Sequence, residues 1–310
     1  MRWKPVRLIP DDTKYPFMRL SRFGFFVSGI LCTIAILLFA VKGLNYGIDF
    51  KGGSEIQVRS AQPLQLDDLR SKLDALGVGK VELQQIGKGN DVMIKVASQT
   101  GDTEGQITQK KILDALGSGF EKRSANTVGG TVSSEYTQNA TGAVMLSIIF
   151  VLFYLSMRFE WQFALGAVLS LLHDVILSIG LFSLIGLEFN LSIVAAILTI
   201  IGYSLNDTVV VFDRIREFLR RYKSMGLADL IDFSINSVLP RTILTSAATM
   251  MALLALFFFG GDVIHGFSFA MIWGVVVGTY SSIFIASPVL VLLGTKREKG
   301  SSEKVPAARR

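Results

Sequence analysis

Ionisable side chains set inside long apolar runs are the residues of this chain whose type and position invite chemistry. Asp207 closes the run Gly202-Tyr203-Ser204-Leu205-Asn206-Asp207 and is followed by Thr208 and Val209-Val210-Val211-Phe212. A charge at the centre of a bilayer costs about 2.5–3.5 kcal/mol on insertion scales, so it needs a partner or a purpose, and ion or proton paths are the usual purpose. On a helix, Tyr203, Ser204, Val210 and Val211 share the Asp207 face. Tyr203 and Asn206 are then supporting polar positions, and a small, polar stripe points into a helix bundle. The bland alternative is a packing carboxylate tied to hydroxyls. Arg241 follows Pro240 and opens a later apolar run. If the earlier run ends near Phe212, Asp207 lies about 7 Å inside that end, within reach of an inward-turned guanidinium. An Arg at a helix end also serves simply to snorkel and set topology, so both readings stand.

His173-Asp174 lies about 18 Å into a helix beginning at Gln162. Such a pair could relay protons. It could equally be a satisfied polar pair, each residue finding its own partners because neighbours on a helix do not face each other. Asp174 and Asp207 together would offer an aspartyl dyad sharing a proton, but the sequence around Asp207 lacks the GxGD of intramembrane aspartyl proteases. Asp213, opening Asp213-Arg214-Ile215-Arg216-Glu217, reads as a helix end meeting water.

The elements that hold these residues follow from composition. Half of the 310 residues are hydrophobic and 18% are charged, with a mean hydropathy of +0.48, too apolar for an ordinary soluble protein. Six stretches, 23–41, 139–157, 162–187, 189–212, 242–261 and 266–293, suit a bilayer crossing of about 20 residues. The first carries no small-residue cleavage site and reads as retained. The expected fold is an α-helical polytopic membrane protein of six transmembrane helices. Cys32 is the single cysteine, which excludes an intrachain disulfide framework and a thiolate metal cluster. No metal site is expected.

Basic residues fix the expected orientation. Arg2, Lys4, Arg7, Lys14, Arg19 and Arg22 precede the first span, and Lys296, Arg297, Lys299, Lys304, Arg309 and Arg310 follow the last. Arg158 and the Arg214–Arg241 region add more, whereas the turns Gly186–Asn190 and Gly260–His265 contain no Lys or Arg. Segments 1–22, 213–241 and 294–310 therefore read as cytoplasmic. The net charge of +6 is topogenic and calls for no nucleic acid. Arg214 to Leu239 reads as amphipathic helices at the membrane surface. His265 falls in an outside turn, and Gly274–Gly278 forms a GxxxG suited to close helix packing.

Segment 42–138, between the first and second spans, is long enough for one small α+β domain on the outer side of the membrane. Alternation and helical spacing predict strand Ser54–Arg59, helix Gln65–Leu76, strands Val81–Ile86 and Asp91–Ala97, helix Glu104–Leu116 and strand Phe120–Val128. That order, βαββαβ, is the ferredoxin-like arrangement. Its glycine pairs (Gly77 and Gly79, Gly87 and Gly89, Gly117 and Gly119) complete no phosphate-binding motif. Gly47-Ile48-Asp49-Phe50-Lys51-Gly52-Gly53 leads into it and reads as a membrane-exit turn using Gly at positive φ.

Taken together, these residues resemble the SecD–SecF family of bacterial protein-export membrane proteins, on the side of its smaller SecF subunits, related to the resistance-nodulation-division transporters. The resemblance covers nearly the whole chain. It rests on Gly47 to Gly53 as a G-x-D-F-x-G-G motif, Arg158-Phe159-Glu160-Trp161, His173-Asp174, Gly202 to Asp207 running on to Glu217, and Arg241-Thr242. It implies a non-enzymatic subunit that works with SecD, uses the proton-motive force, and helps draw preprotein from the SecY–SecE–SecG channel and its associated accessory membrane subunits. By motif, the proton-pathway carboxylate falls on Asp207 and its basic partner on Arg241. The implied setting is the bacterial inner membrane, with no cofactor beyond the proton gradient. A half-size proton-coupled exporter and a non-energised scaffold of the channel remain as alternatives.

Overall fold

The structure is a computed structural model that describes residues 13–61, 66–79, 81–86, 90–97 and 102–294. The expected features at Arg2, Lys4, Arg7, Gln65, Gly87, Gly89 and the six basic residues from Lys296 to Arg310 lie outside the described residues. In chain order the main elements are α1 (Phe17–Lys42), β1 (Asn45–Tyr46), α2 (Ile48–Lys51), β2 (Gly53–Ser60), α3 (Leu66–Asp74), β3 (Val81–Ile86), β4 (Asp91–Ala97), α4 (Asp102–Leu116) and β5 (Phe120–Val128). They continue with α5 (Gly130–Arg158), α6 (Trp161–Ile185), β6 (Glu188–Phe189), α7 (Leu191–Arg221), α8 (Leu227–Phe259), α9 (Asp262–Ser281) and α10 (Ser287–Leu293). A π-helical turn, Ser282–Ala286, joins the last two. The contacts divide the chain into one unit of residues 45–145 and 188–194 and another of residues 1–44, 146–187 and 195–310.

The first unit is α+β. Its four-stranded sheet has the order β3-β4-β2-β5, and each neighbouring pair is antiparallel. Alternation does the work: Val92, Ile94 and Val96 of β4 and Ile56 and Val58 of β2 all point to one face. There they meet Leu69 and Leu73 of α3 and Ile112 and Leu116 of α4. A bulge between Gln57 and Val58 shifts the register of β2 against β5.

The glycine-rich turn belongs to the same unit. Its Ile48–Lys51 forms one helical turn that ends on Gly52 and Gly53, with φ of 70° and 135°, a region L-residues avoid. At Gly47 the surroundings are close instead, since a Cβ there would lie 2.8 Å from Glu188 Oε1 and 3.4 Å from Asn190 Cβ. Asp49 Oδ2 accepts a hydrogen bond from Leu191 N at 2.9 Å, satisfying one of the orphan donors at the start of α7. Phe50 packs its ring with Tyr46 and Phe189. The short strands β1 and β6 pair in parallel, Asn45 opposite Glu188 and Tyr46 opposite Phe189.

The second unit is helical. Among the described residues, six helices are long and apolar enough to cross a membrane. The third, fourth and sixth are at least half buried, whereas the window of α5 is only 6% buried. Small residues permit the inner contacts: a Cβ on Gly180 would meet Ala35 Cβ at 2.2 Å, and one on Gly274 would meet Ile200 at 2.2 Å. One end of the bundle is closed by aromatic rings, with Phe163 and Phe212 at 5.1 Å and Phe159 against both.

Helix ends differ from several sequence expectations. Helix α7 begins at Leu191, Phe189 being a strand residue, and continues past Phe212 to Arg221. Helix α8 begins at Leu227 and runs through Pro240. Separate surface helices over 214–239 are therefore replaced by continuous extensions of the two spans, interrupted only at 222–226. Buried Leu230, Ile231, Ile235 and Leu239 hold α8 against the bundle on the N-terminal side of Pro240, and that packing outweighs the bond the proline forfeits. The second span likewise starts early, at Gly130, and α5 is roughly 44 Å long, more than a hydrocarbon core of about 30 Å requires. His265 is helical, in α9, and its ring lies 4.1 Å from that of Phe257.

Candidate functional site

Two carboxylates are buried in the helical unit, Asp174 on α6 at 1% exposure and Asp207 on α7 at 3%. Their surroundings differ. Asp174 is saturated: His173 Nδ1 lies 2.9 Å from its Oδ1, and the hydroxyls of Ser204 on α7 and Ser281 on α9 donate to its Oδ2 at 2.5 and 2.8 Å. The direct His173–Asp174 contact corrects the expectation that these neighbours cannot face each other. His173 takes one carboxylate oxygen of Asp174, and the serines take the other. His173 Nε2 is buried without a hydrogen-bond partner among the described residues, and its ring lies 6.0 Å from that of Tyr280.

Asp207 is held loosely. Thr279 Oγ1 donates to its Oδ2 at 3.4 Å, a distance at which a hydrogen bond is weak. Thr279 in turn lies 3.0 Å from Ser246 Oγ on α8, which accepts from Tyr203 OH at 3.3 Å. A chain of exchangeable hydroxyls therefore runs Tyr203–Ser246–Thr279–Asp207 across α7, α8 and α9. Thr208 Oγ1 and Thr242 Oγ1 are buried without hydrogen-bond partners among the described residues. The two carboxylates are linked by one helical turn of α7, since Ser204 binds Asp174 and Asp207 follows on the same face.

Other expected residues fall elsewhere. Arg241 is exposed and forms no ion pair with Asp207 in this structure, because Thr242, not Arg241, is the residue of α8 that turns inward. Asn206 is exposed, on the side of α7 away from the carboxylate. Asp213 bonds Arg158 through both oxygens, at 2.7 and 2.9 Å. Gly47, Asp49, Phe50, Gly52 and Gly53 build the turn described above and are not part of the buried polar cluster.

Ser246, Thr279 and Ser281 were not singled out from sequence. For Thr279 and Ser281 the signal was the run Gly278-Thr279-Tyr280-Ser281-Ser282 in the last span, which follows directly on the GxxxG of Gly274–Gly278. Its position before the π-helical turn is also informative, since such turns are frequent at functional sites. Ser287 Oγ donates to Ser282 O at 2.8 Å across it.

Outside the helical unit, Lys95 lies between two carboxylates, bonding Glu188 and standing 4.0 Å from Glu55. Burial, with Glu188 adding to it, pushes the Glu55 carboxyl above its ordinary range, and Lys95 only partly offsets this. Asp91 is held below its ordinary range by its hydrogen bonds from Arg59.

Comparison with known proteins places this arrangement in context. Residues 108–296 match the family described as protein export membrane protein SecD/SecF, C-terminal, and residues 37–64 match the SecD/SecF GG motif. The chain is 43% identical to the protein translocase subunit SecF of Vibrio alginolyticus, over 94% of each chain. It is 44% identical to the protein translocase subunit SecDF of Brucella abortus, over 97% of this chain and 40% of that one. Among solved structures it is similar to SecDF from Thermus thermophilus, a translocon-associated membrane protein, with a TM-score of 0.81 and 33% identity over 93% of this chain and 40% of the other. The chain thus spans about 40% of the length of these SecDF chains. The matched names describe a transport component and no enzyme family.

Proposed function

Since the chain belongs to the SecF family of SecD/SecF protein-export membrane proteins, we propose that it acts with SecD as an accessory subunit of the Sec preprotein translocase in the bacterial inner membrane. The pair uses the proton-motive force to promote translocation and release on the periplasmic side. The observation that carries the proton-coupled reading is Asp207: a carboxylate 3% exposed in an apolar helix, bonded to a hydroxyl at 3.4 Å and to no cation among the described residues. Such a group can change protonation state when its surroundings shift.

Asp207 is the proton-carrying carboxylate in this reading, and Arg241, exposed here, meets it in another state of the cycle. One proton crossing the field carries about 2.3 kcal/mol per 100 mV, against about 5.5 kcal/mol to move an equilibrium from 1:99 to 99:1. A single proton therefore biases a motion without enforcing it. No cofactor is required beyond the gradient.

Relatives in which SecD and SecF form one chain support SecD as the partner. The family resemblance supplies the SecY–SecE–SecG channel with its accessory subunits, and the translocating preprotein. Six spans make half of the twelve typical of related resistance-nodulation-division exporters, whose halves are parallel repeats. The sheet order β3-β4-β2-β5, with α3 and α4 as the two crossovers, supports a ferredoxin-like domain. The excess of Lys and Arg at the chain ends and in 214–241 supports its periplasmic placement, with both termini cytoplasmic.

The test is preprotein translocation into vesicles containing the channel and SecD, with and without this chain and with and without an imposed proton gradient. A gradient-dependent increment that requires this chain supports the proposal. An increment of equal size without it leaves only a scaffold role.

A further inference from the structure

The motifs at Arg158–Trp161 and Asp213–Glu217 are not used by the proton-coupled reading, yet they converge on one feature. At the end of α5 and along the C-terminal extension of α7 lies a cleft of about 510 Å³ lined by Arg158, Asp213, Arg216, Glu217, Arg220 and Arg221. It holds four guanidiniums and two carboxylates. Both carboxylates are already engaged: Asp213 accepts from Arg158, and Glu217 accepts from Arg214 at 2.7 Å. Arg216 donates to the carbonyl of Arg158 at 3.2 Å, and its guanidinium sits 5.5 Å from the Phe159 ring, which also carries Arg158 at 5.1 Å. Among the described residues, neither Arg216 nor Arg220 forms an ion pair with a carboxylate. The cleft therefore keeps a positive excess with its side chains partly pre-positioned.

Guanidiniums present planar forks that match phosphate oxygens. An apolar surface continues from the same place. Phe150, Phe153, Tyr154 and Met157 recur at three and four residues on α5 and are all exposed, Met157 at 74% and Phe150 at 62%. They form one stripe ending at Arg158. Trp161, exposed beside the turn that follows, has the amphipathic ring that favours a membrane–water boundary. A phosphate site at a membrane boundary, continuous with an apolar stripe about 10 Å long, fits a phospholipid better than a soluble anion.

We propose that this cleft binds the headgroup phosphate of an anionic phospholipid, with its acyl chains lying along the exposed stripe of α5. Arg216 and Arg220 hold the phosphate, and the Arg158–Asp213 pair orients the cleft. Basic pockets between membrane helices bind anionic headgroups by the same electrostatics.

The test is native mass spectrometry of the full chain in detergent with phosphatidylglycerol and phosphatidylcholine offered in equal amounts. The parent should retain phosphatidylglycerol about tenfold over phosphatidylcholine, the scale of one or two charge-assisted contacts. Arg216→Gln with Arg220→Gln should bring the ratio near one, whereas Arg19→Gln, an exposed basic residue on α1, should leave it unchanged. Arg220→Gln alone, at an exposed position that the packing tolerates, should lower the ratio about threefold and covers the case in which the double variant does not fold. In a second arm, excess inorganic phosphate replaces or competes with the lipid and should displace little of it. A ratio unaffected by the cleft variants, or lowered equally by Arg19→Gln, would overturn the site. Complete displacement by inorganic phosphate, with the same arginine dependence, would overturn the lipid assignment in favour of a soluble anion.

Discussion

Ser204 donates its hydroxyl to Asp174 at 2.5 Å one helical turn before Asp207 on the same helix. The saturated carboxylate of α6 thereby fixes the rotation and height of the helix that carries the loosely held one. Any shift of α7 along or about its axis must lengthen this bond first.

Removing that hydroxyl is the direct probe of the fixed half. Ser204→Ala leaves Asp174 with Ser281 and His173 and is expected to destabilise the chain by about 0.5–1.5 kcal/mol, the net worth of one hydrogen bond. Thermal unfolding in nanodiscs measures it. In an Asp174→Asn background the same substitution should cost measurably less, because the two residues are coupled.

Close packing of α9 on α7 leads to a second expectation. A side chain at Gly274 must displace Ile200, and one at Gly278 must displace Ser204. Gly274→Leu should therefore cost about 1–3 kcal/mol by overpacking and lower the unfolding temperature. Gly142, where an added Cβ meets nothing, should tolerate Ala with little change.

The paired glycines of the turn give a third. Gly52→Ala and Gly53→Ala force an L-residue to φ of 70° and 135°, at about 1–3 kcal/mol each. Amide exchange should accelerate first in β2, which begins at Gly53, and in the amide of Leu191 that Asp49 holds.

Glu55 gives a dependence on pH whose sign is opposite to that of most acids. Its folded carboxyl sits above the ordinary range, by burial first and the neighbouring Glu188 second. Between its unfolded value and that raised value the folded state binds more protons. This contribution to stability is thus fullest below the unfolded value and is lost as pH rises through the folded one. Asp91, held low by Arg59, contributes in the opposite sense, losing its share as pH falls, but it is exposed to solvent screening and counts for less. Protection of the β2 and β4 amides, taken relative to the intrinsic exchange rate at each pH, should accordingly rise on mild acidification from neutral pH, and Glu55→Gln should flatten that response.

Much of the α+β unit was legible in the sequence because strands buried on one face alternate. Val92, Ile94 and Val96 announce β4, and the glycines at 117 and 119 separate α4 from β5. The helical unit was legible in number but not in its ends. Charge along 214–239 suggested a surface segment, yet Ile215, Phe218, Ile231 and Ile235 bury a continuous apolar seam that carries both helices beyond the span. Of the polar cluster, Asp174 and Asp207 stood out because charges are costly in hydrocarbon. Their partners did not, because Ser and Thr are ordinary in membrane helices and only the crossing of α7, α8 and α9 brings Ser246, Thr279 and Ser281 inward. The expected pairing of Arg241 with Asp207 used depth alone. Helical phase, set by burial of Thr242, decides it in this structure.

In the proposed function, Asp207 couples a proton to translocation. The most direct measurement compares Asp207→Asn with the parent in vesicles containing the channel and SecD, with and without a proton gradient. Asp207→Asn should lose the gradient-dependent increment alone, with SecD association and gradient-independent translocation retained. An increment equal to that of the parent would contradict it and leave Asp207 as a packing carboxylate.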